Sequence, residues 1–285
     1  LEVVLLLKLK PVFLETNLND FNIDISSVEK KINKKTKALI STSLFGRSVD
    51  LIQLKEICKR NKITLIEDAA QNFGSKIGKL NSCNIADFSC TSFFPSKNLG
   101  AYGDGGAIFT NNKKFYKILI KIRNHGQIKY NKSSLVGINS RLGSIQANIL
   151  LHKLKDFKEK KKRHKKVYYD YSNFFEKNKI IGFPLDRNGT KFDDMNSQFS
   201  ILVRKRSLLT RFLDKYKIDY KIYYSKPLYK QFNLKNNLYL KNTEFICKRI
   251  ITLPFNEFSR KRFNYVLKKL SKVISTNKGI FFEKN

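Results

Sequence analysis

Acidic residues are scarce in this 285-residue chain: Asp and Glu number 23 against 57 Lys and Arg, a net charge of +34. Such an excess raises nucleic acid or an anionic membrane as a partner. The basic residues are spread along the chain, however, and lysine far outnumbers arginine. With abundant Asn, Ile and Phe, this is the mixture that a strongly AT-biased coding sequence produces. The densest run, KEKKKRHKK from Lys158 to Lys166, reads as the solvated face of a long helix. No nucleic-acid module is recognisable, so no nucleic-acid partner is expected; the charge favours anionic small molecules.

Cysteine is also sparse. Cys58, Cys83, Cys90 and Cys247 fall at no metal-ligand spacing, so no metal is expected, and they read as ordinary semi-buried thiols of a reduced, cytoplasmic chain. No run of eighteen apolar residues occurs, so no spanning helix and no membrane partner are expected. The opening LEVVLLLKLK is apolar but short. It lacks a basic leader and a small-residue cleavage site, which argues against a signal peptide. It starts at Leu rather than Met, which reads as a fragment or a processed start. Internal repeats and low-complexity linkers are missing too.

What is present is a globular composition, 41% hydrophobic and 13% aromatic, in a chain long enough for one large domain or two smaller ones. Residues 1–10 read as the end of a helix, Pro11 to Leu14 as a short strand, Asn17 to Asp24 as a loop and Ile25 to Ile32 as a short helix. Lys37 to Ser43 reads as a strand. Asp50 is placed to cap a helix to about Arg60, and Ile63 to Ile66 is an apolar strand ending in Glu67-Asp68. Short apolar strands alternating with amphipathic helices predict an α/β fold with a mainly parallel sheet. Ligands of such sheets sit beyond the carboxyl ends of the strands, where Asp68 falls.

The stretch DFSCTSFFPSKNLGAYGDGGAIFT, Asp87 to Thr110, sets Lys97 in a Pro- and Gly-containing loop between two β-prone runs. Lys113 to Arg123 reads as a helix and Asn124 to Arg141 as a long polar loop, a type that is often functional. One helical stretch is expected from about Ser144 to Lys177, punctuated by Gly182 to Thr190. Beyond it follow a strand at Gln198 to Val203, a helix at Ser207 to Tyr216, a strand near Tyr220 to Tyr224 and a loop around Pro227. A helix near Thr243 to Arg249, a strand at Ile250 to Leu253 and a helix from Ser259 to Val273 complete the chain. The expected division is a large domain over residues 1–155 and a linking helix with a small α/β domain over 156–285.

Lys97 is either a solvated surface charge or a desolvated amine able to form an imine with a carbonyl. Asp68 is either a helix cap or a carboxylate that pairs with a protonated heterocyclic nitrogen. Gln71 lies within reach of the same pocket. Ser92 and the nearby glycines offer a hydroxyl and N–H groups to a phosphate. GDGG has a reading as a plain turn, Asn139 and Arg141 as plain loop residues, and His125 takes no role. Together these are the parts of a pyridoxal phosphate site.

EDAAQ, SFFPSKNLGAYGDGG, RNHGQ and GINSRLGSIQANIL, in that order, resemble the DegT/DnrJ/EryC1/StrS sugar aminotransferases of the aspartate aminotransferase fold type I. PVFLETNLNDFNID near the start and TLPFNEFS near the end extend the likeness over essentially the whole chain. The resemblance implies pyridoxal 5′-phosphate as cofactor, with Lys97 as the Schiff-base lysine that then shuttles the substrate proton. It implies Asp68 on the pyridine nitrogen, Gln71 against the ring face and Ser92 on the phosphate. It implies a homodimer, with Asn139 reaching the neighbouring subunit's phosphate and Arg141 a substrate contact across the same interface. Tyr224, in YYSKPLY, matches the tyrosine of the family's HYPxPLH substrate loop; Tyr223, Ser225 and Tyr229 depart from that pattern. The family's large domain starts with several dozen more residues, including a Gly-Thr helix start that binds phosphate, so this chain is expected to be N-terminally incomplete.

Lysine at 97, where the family's dehydratases carry histidine, implies transamination. The motifs look nearest to the aminotransferases of UDP-2-acetamido-2-deoxy-3-keto-hexuronates in O-antigen synthesis, with glutamate as donor. The 4-keto-hexose aminotransferases are the alternative, and a truncated inactive member is another.

Overall fold

Parallel pairing of short apolar strands builds the part of the molecule that carries Lys97. The computed structural model describes residues 1–184, 187, 189–232, 234, 238–255 and 259–284. Their contacts form two compact units: residues 35–162 with 189–195, and residues 1–34, 163–188 and 196–285.

The first unit is built on a four-stranded sheet. Strands β1 (Ala38–Thr42), β2 (Thr64–Asp68) and β3 (Phe88–Ser92) run parallel, and β4 (Gly106–Phe109) closes one edge antiparallel to β3. Helix α1 (Leu51–Arg60) makes the β1–β2 crossover. The Asp50 side chain caps it by accepting the Gln53 N–H at 3.2 Å, and Leu51, Leu54, Ile57 and Cys58 are its buried stripe. The β2 sequence TLIED alternates half-buried with buried residues, so Leu65 and Glu67 point into the interior and Ile66 and Asp68 lie half-buried. Helix α2 (Lys113–Arg123) starts where Asn112 accepts the N–H groups of Lys114 and Phe115.

The expected single helix from Ser144 to Lys177 is two, α3 (Ser144–Lys155) and α4 (Phe157–Lys177). Asp156 leaves the helical geometry at φ −98° and ψ 6°. At the break the Phe157 ring meets Phe73 at 5.7 Å. The loop expected over Asn124 to Arg141 contains a hairpin, Gln127–Lys129 against Lys132–Ser133, with Asn131 at φ 55° in its turn. Asparagine tolerates that left-handed conformation better than other side chains do. Gly126 at φ +70° is required there, because a Cβ would stand 1.7 Å from the Leu135 carbonyl oxygen.

In the second unit, β5 (Phe199–Leu202) pairs antiparallel with β6 (Ile250–Leu253), and both strands are wholly buried. Around them lie the later turns of α4, α5 (Arg206–Lys215), α6 (Lys241–Arg249) and α7 (Arg260–Thr276). Phe199 is the hub of this core. Its ring lies 4.8 Å from Tyr171, 5.0 Å from Tyr168, 5.5 Å from Phe183 and 5.8 Å from Phe175.

The division of the chain differs from the expected one. Contacts change partners between residues 162 and 163 rather than after 155, and residues 1–34 belong with the C-terminal part. The reason is a helix cap from far along the chain. The Glu15 carboxylate accepts the N–H groups of Asn242 and Thr243, at 3.1 and 2.9 Å, and the Thr243 hydroxyl at 2.7 Å. Two expected strands are not strands. Pro11 to Leu14 is irregular, the local pairing being a bridge from Thr16 to Ile23; proline brings no N–H to a ladder. Of Tyr220 to Tyr224 only Lys221 pairs, with Thr252, before the chain turns away. Ile25 to Ile32 is two 3₁₀ turns, not one helix. Parts of two expected segments, Gly182 to Thr190 and the end motif TLPFNEFS, fall outside the described residues.

No helix among the described residues is long and apolar enough to cross a membrane. No group of His, Cys, Asp or Glu among them is arranged to hold a metal.

Truncating Phe199 to Ala removes the ring that four aromatic neighbours share. It is expected to lower the unfolding free energy by about 3–5 kcal/mol, measured by urea denaturation.

Candidate active site

Asp68 and Ser92 are the last residues of β2 and β3. Because β2 and β3 are parallel, with Asp68 opposite Cys90, both side chains emerge at the same carboxyl edge of the sheet. Gly106, the first residue of antiparallel β4, faces Ser92 at that edge. The loop between β3 and β4 carries Lys97 there. It is closed at its base by the Phe93 N–H on the Gly105 carbonyl (2.7 Å) and the Ala101 N–H on the Phe93 carbonyl (2.8 Å).

Apolar anchors hold the loop down. Phe93, Leu99 and Ala101 are buried with Leu150 of α3, and Phe73 packs against them. Lys153 donates to the Gly100 carbonyl at 2.6 Å and lies 4.2 Å from the Tyr102 ring centroid, while Gln146 accepts the Tyr102 N–H at 2.9 Å. Gly100 has no room for a side chain, since a Cβ would stand 2.4 Å from the Pro95 carbonyl oxygen. The Lys97 N–H donates to the Phe94 carbonyl at 2.9 Å, and Lys97 itself is half-buried.

The groups at the edge keep open valences. One Asp68 oxygen accepts the Ala70 N–H at 3.0 Å, leaving the other available to a protonated ring nitrogen. The Ser92 oxygen accepts the Phe94 N–H at 3.2 Å, which leaves its O–H free to donate to a phosphate. An amine, a carboxylate and a hydroxyl on one sheet edge fit the donor set that pyridoxal phosphate requires. Gln71 is already engaged: its Oε1 accepts the Phe45 N–H at 2.7 Å. That bond steadies a non-glycine residue at φ 59° in the turn after β1.

Asn139 and Arg141 are both exposed and bonded to each other, Arg141 Nε donating to Asn139 Oδ1 at 3.1 Å. Asn139 also bridges to Asn124. Tyr224 belongs to the other compact unit and is 46% exposed. Tyr229, one of the departures in the YYSKPLY loop, is buried. It donates to Glu244 at 2.8 Å and accepts the Leu240 N–H at 3.3 Å. It therefore anchors the turn after Pro227.

Sequence reasoning passed over Glu67. It is fully buried behind Asp68, and its Oε2 accepts the Cys83 N–H and the Ser89 hydroxyl, both at 2.8 Å. Burial raises its pKa above the ordinary carboxylate value; hydrogen bonds from Ser89, Cys83 and Asn72 offset this only in part, and Asp68 adds to the rise. The signal was available, because Glu67 shares the interior parity of Leu65 in β2. Burial also pushes the Cys90 thiol up to about 11, with Asp68 and Glu67 contributing.

The mainly parallel sheet with its antiparallel edge strand is that of a fold type I transferase, the fold of the solved structures on which this chain superimposes. The chain belongs to the DegT/DnrJ/EryC1/StrS aminotransferase family, whose profile matches residues 1–271. The cofactor of this family is pyridoxal 5′-phosphate. The chain is 37% identical over 235 residues to the UDP-2-acetamido-2-deoxy-3-oxo-D-glucuronate aminotransferase of Pseudomonas aeruginosa, a match covering 81% of this chain and 63% of that protein. It therefore spans somewhat less than two thirds of that relative's length. A DegT/DnrJ/EryC1/StrS aminotransferase from Brucella abortus superimposes with a TM-score of 0.87 at 29% identity, covering 95% of this chain and 75% of that one. The Bacillus subtilis protein NtdA, solved with bound cofactor PMP, superimposes with a TM-score of 0.85 at 26% identity, covering 96% of this chain and 65% of that one.

Two outcomes test the environment of the site. Glu67 has a raised pKa when folded, so stability is fully present below the unfolded value of about 4.3 and declines as pH rises through the folded value. Glu67→Gln does not titrate. Its thermal midpoint is expected to match the wild type near pH 4 and to exceed it as the pH rises above the unfolded value, levelling off once the folded value is passed. Tyr229→Phe is expected to lower stability by about 1–3 kcal/mol in denaturant titrations, because the buried Glu244 loses a donor.

Proposed function

We propose that this protein transfers an amino group from glutamate to a keto nucleotide sugar, with pyridoxal phosphate as cofactor. The observation that carries this reading is Lys97, Asp68 and Ser92 together at one sheet edge, each with an atom free to bind. When bound, the cofactor supplies an electron sink for the substrate's Cα–H bond. The protein residues divide the remaining work. Asp68 keeps the heterocyclic nitrogen protonated, Ser92 donates to the phosphate and Gln71 lies against the ring. The Lys97 amine would hold the cofactor covalently and would serve as the base that moves the substrate proton.

The substrate is a 3-keto sugar carried on a nucleoside diphosphate, and the pathway is cell-surface polysaccharide synthesis in the cytoplasm. Likeness to the Pseudomonas aeruginosa 3-oxo-glucuronate enzyme supports the position of the ketone. The basic surface suits a diphosphate anion. Tyr224 contacts the sugar.

The active unit is a homodimer in which Asn139 and Arg141 serve the neighbouring site. Their surroundings support this: Val136 is 95% exposed, Ile138 61% and Ile145 76%, and clustered exposed apolar side chains mark contact surfaces.

Loaded with pyridoxal phosphate and freed of unbound cofactor, the protein is expected to be yellow, and borohydride should fix the cofactor on Lys97, located by peptide mass. Lys97→Ala is expected to lose the absorbance band and at least about a thousandfold in turnover. A band that persists in Lys97→Ala would overturn the assignment.

A further inference from the structure

Asp68 ends β2 whereas Lys97 lies in the loop beyond β3, so strand pairing alone does not set their separation. Lys97 is five residues past the end of β3, in a loop whose base is closed at Phe93 and Ala101. Asp68 starts a tight turn: its carboxylate accepts the Ala70 N–H, the Ala69 N–H donates to the Cys90 carbonyl, and the Phe73 N–H donates to the Ala69 carbonyl. One side chain clasps the loop to this turn. Asn98, next to Lys97 and only 5% exposed, donates its amide Nδ2 to the Gln71 carbonyl at 2.7 Å and to the Phe73 carbonyl at 3.4 Å.

We infer that Asn98 is a positioning residue: by holding the Gln71 and Phe73 carbonyls it fixes where Lys97 stands relative to Asp68. This rests on the cofactor reading above. A single amide bonded twice to one turn sets both distance and orientation, which one bond does not. The Asn98 side chain is buried, while the neighbouring Lys97 is half-buried. Lys153 on the Gly100 carbonyl steadies the far end of the loop. Without the Asn98 clasp the amine keeps its chemistry and loses its address.

Imine formation joins the lysine nitrogen to the cofactor aldehyde carbon with release of one water, so its extent reports on placement of the amine. The test compares wild type, Asn98→Leu, which keeps the bulk and removes both donors, and Asn98→Ser, which keeps one donor. Each is loaded with pyridoxal phosphate. Cofactor bound is measured by equilibrium dialysis, and the borohydride-fixed fraction at Lys97 by peptide mass. The fixed-to-bound ratio is expected to fall about tenfold in Asn98→Leu, which loses both hydrogen bonds, and by less in Asn98→Ser. Thermal midpoints without cofactor separate placement from folding. An unchanged ratio in Asn98→Leu overturns the inference, even if the midpoint falls. If the wild type itself forms no adduct at Lys97, the cofactor reading fails and the inference with it; if the wild type forms it and Asn98→Leu matches, only the inference fails.

Discussion

The parallel pairing of β2 with β3 is the constraint on which the site depends. It sets Asp68 opposite Cys90 and brings the ends of both strands to one edge. A shift of one residue would turn Asp68 into the interior and Glu67 toward the ligand. The interior face resists that shift, because Leu65 and Glu67 are fully buried and Glu67 is hydrogen-bonded there. The buried acid thus helps to define the strand register that presents Asp68 at the edge.

Rigidity around Lys97 comes from many small contacts rather than from regular structure. The loop has no strand or helix of its own, yet its base, its backbone carbonyls and its glycine are each engaged. Packing of Phe93, Leu99 and Ala101 against α3 supplies the apolar part. Polar side chains supply the directional part: Asn98 of the loop itself, and Gln146 and Lys153 from α3. A loop held this way can present a reactive amine without its own secondary structure, as a site on a scaffold requires.

The departures in the YYSKPLY loop acquire a physical meaning. Tyr229 stands where the resemblance implied a histidine, and its hydroxyl is buried on Glu244. Glu244 also pairs with Lys230 at 2.5 Å. That position is therefore an anchor for the turn, and its phenol meets a structural demand. Tyr224, 46% exposed, is left as the loop residue with a surface to offer.

Much of this was legible in the sequence. Strand alternation, the Asp50 cap and the placement of Lys97 between two β-prone runs are local properties, governed by periodicity and capping chemistry. Asp68 at a strand end followed from the same pattern, and the ordered motifs disclosed the family. Other features needed the tertiary structure because their partners are far apart along the chain. Glu15 caps a helix that starts 226 residues later, at Lys241, and so moves the first 34 residues to the C-terminal unit. The strand expected near Tyr220 shrank to one bridge because pairing depends on the partner strand as much as on β-propensity. Nothing in the sequence singles out Asn98, because its amide bonds to the Gln71 and Phe73 carbonyls exist only in the folded chain. By itself the sequence determined which residues could do chemistry and on which elements they lie. Only the tertiary structure decided which of them are held and by what, because hydrogen bonds and burial between distant segments leave no periodic trace in the chain.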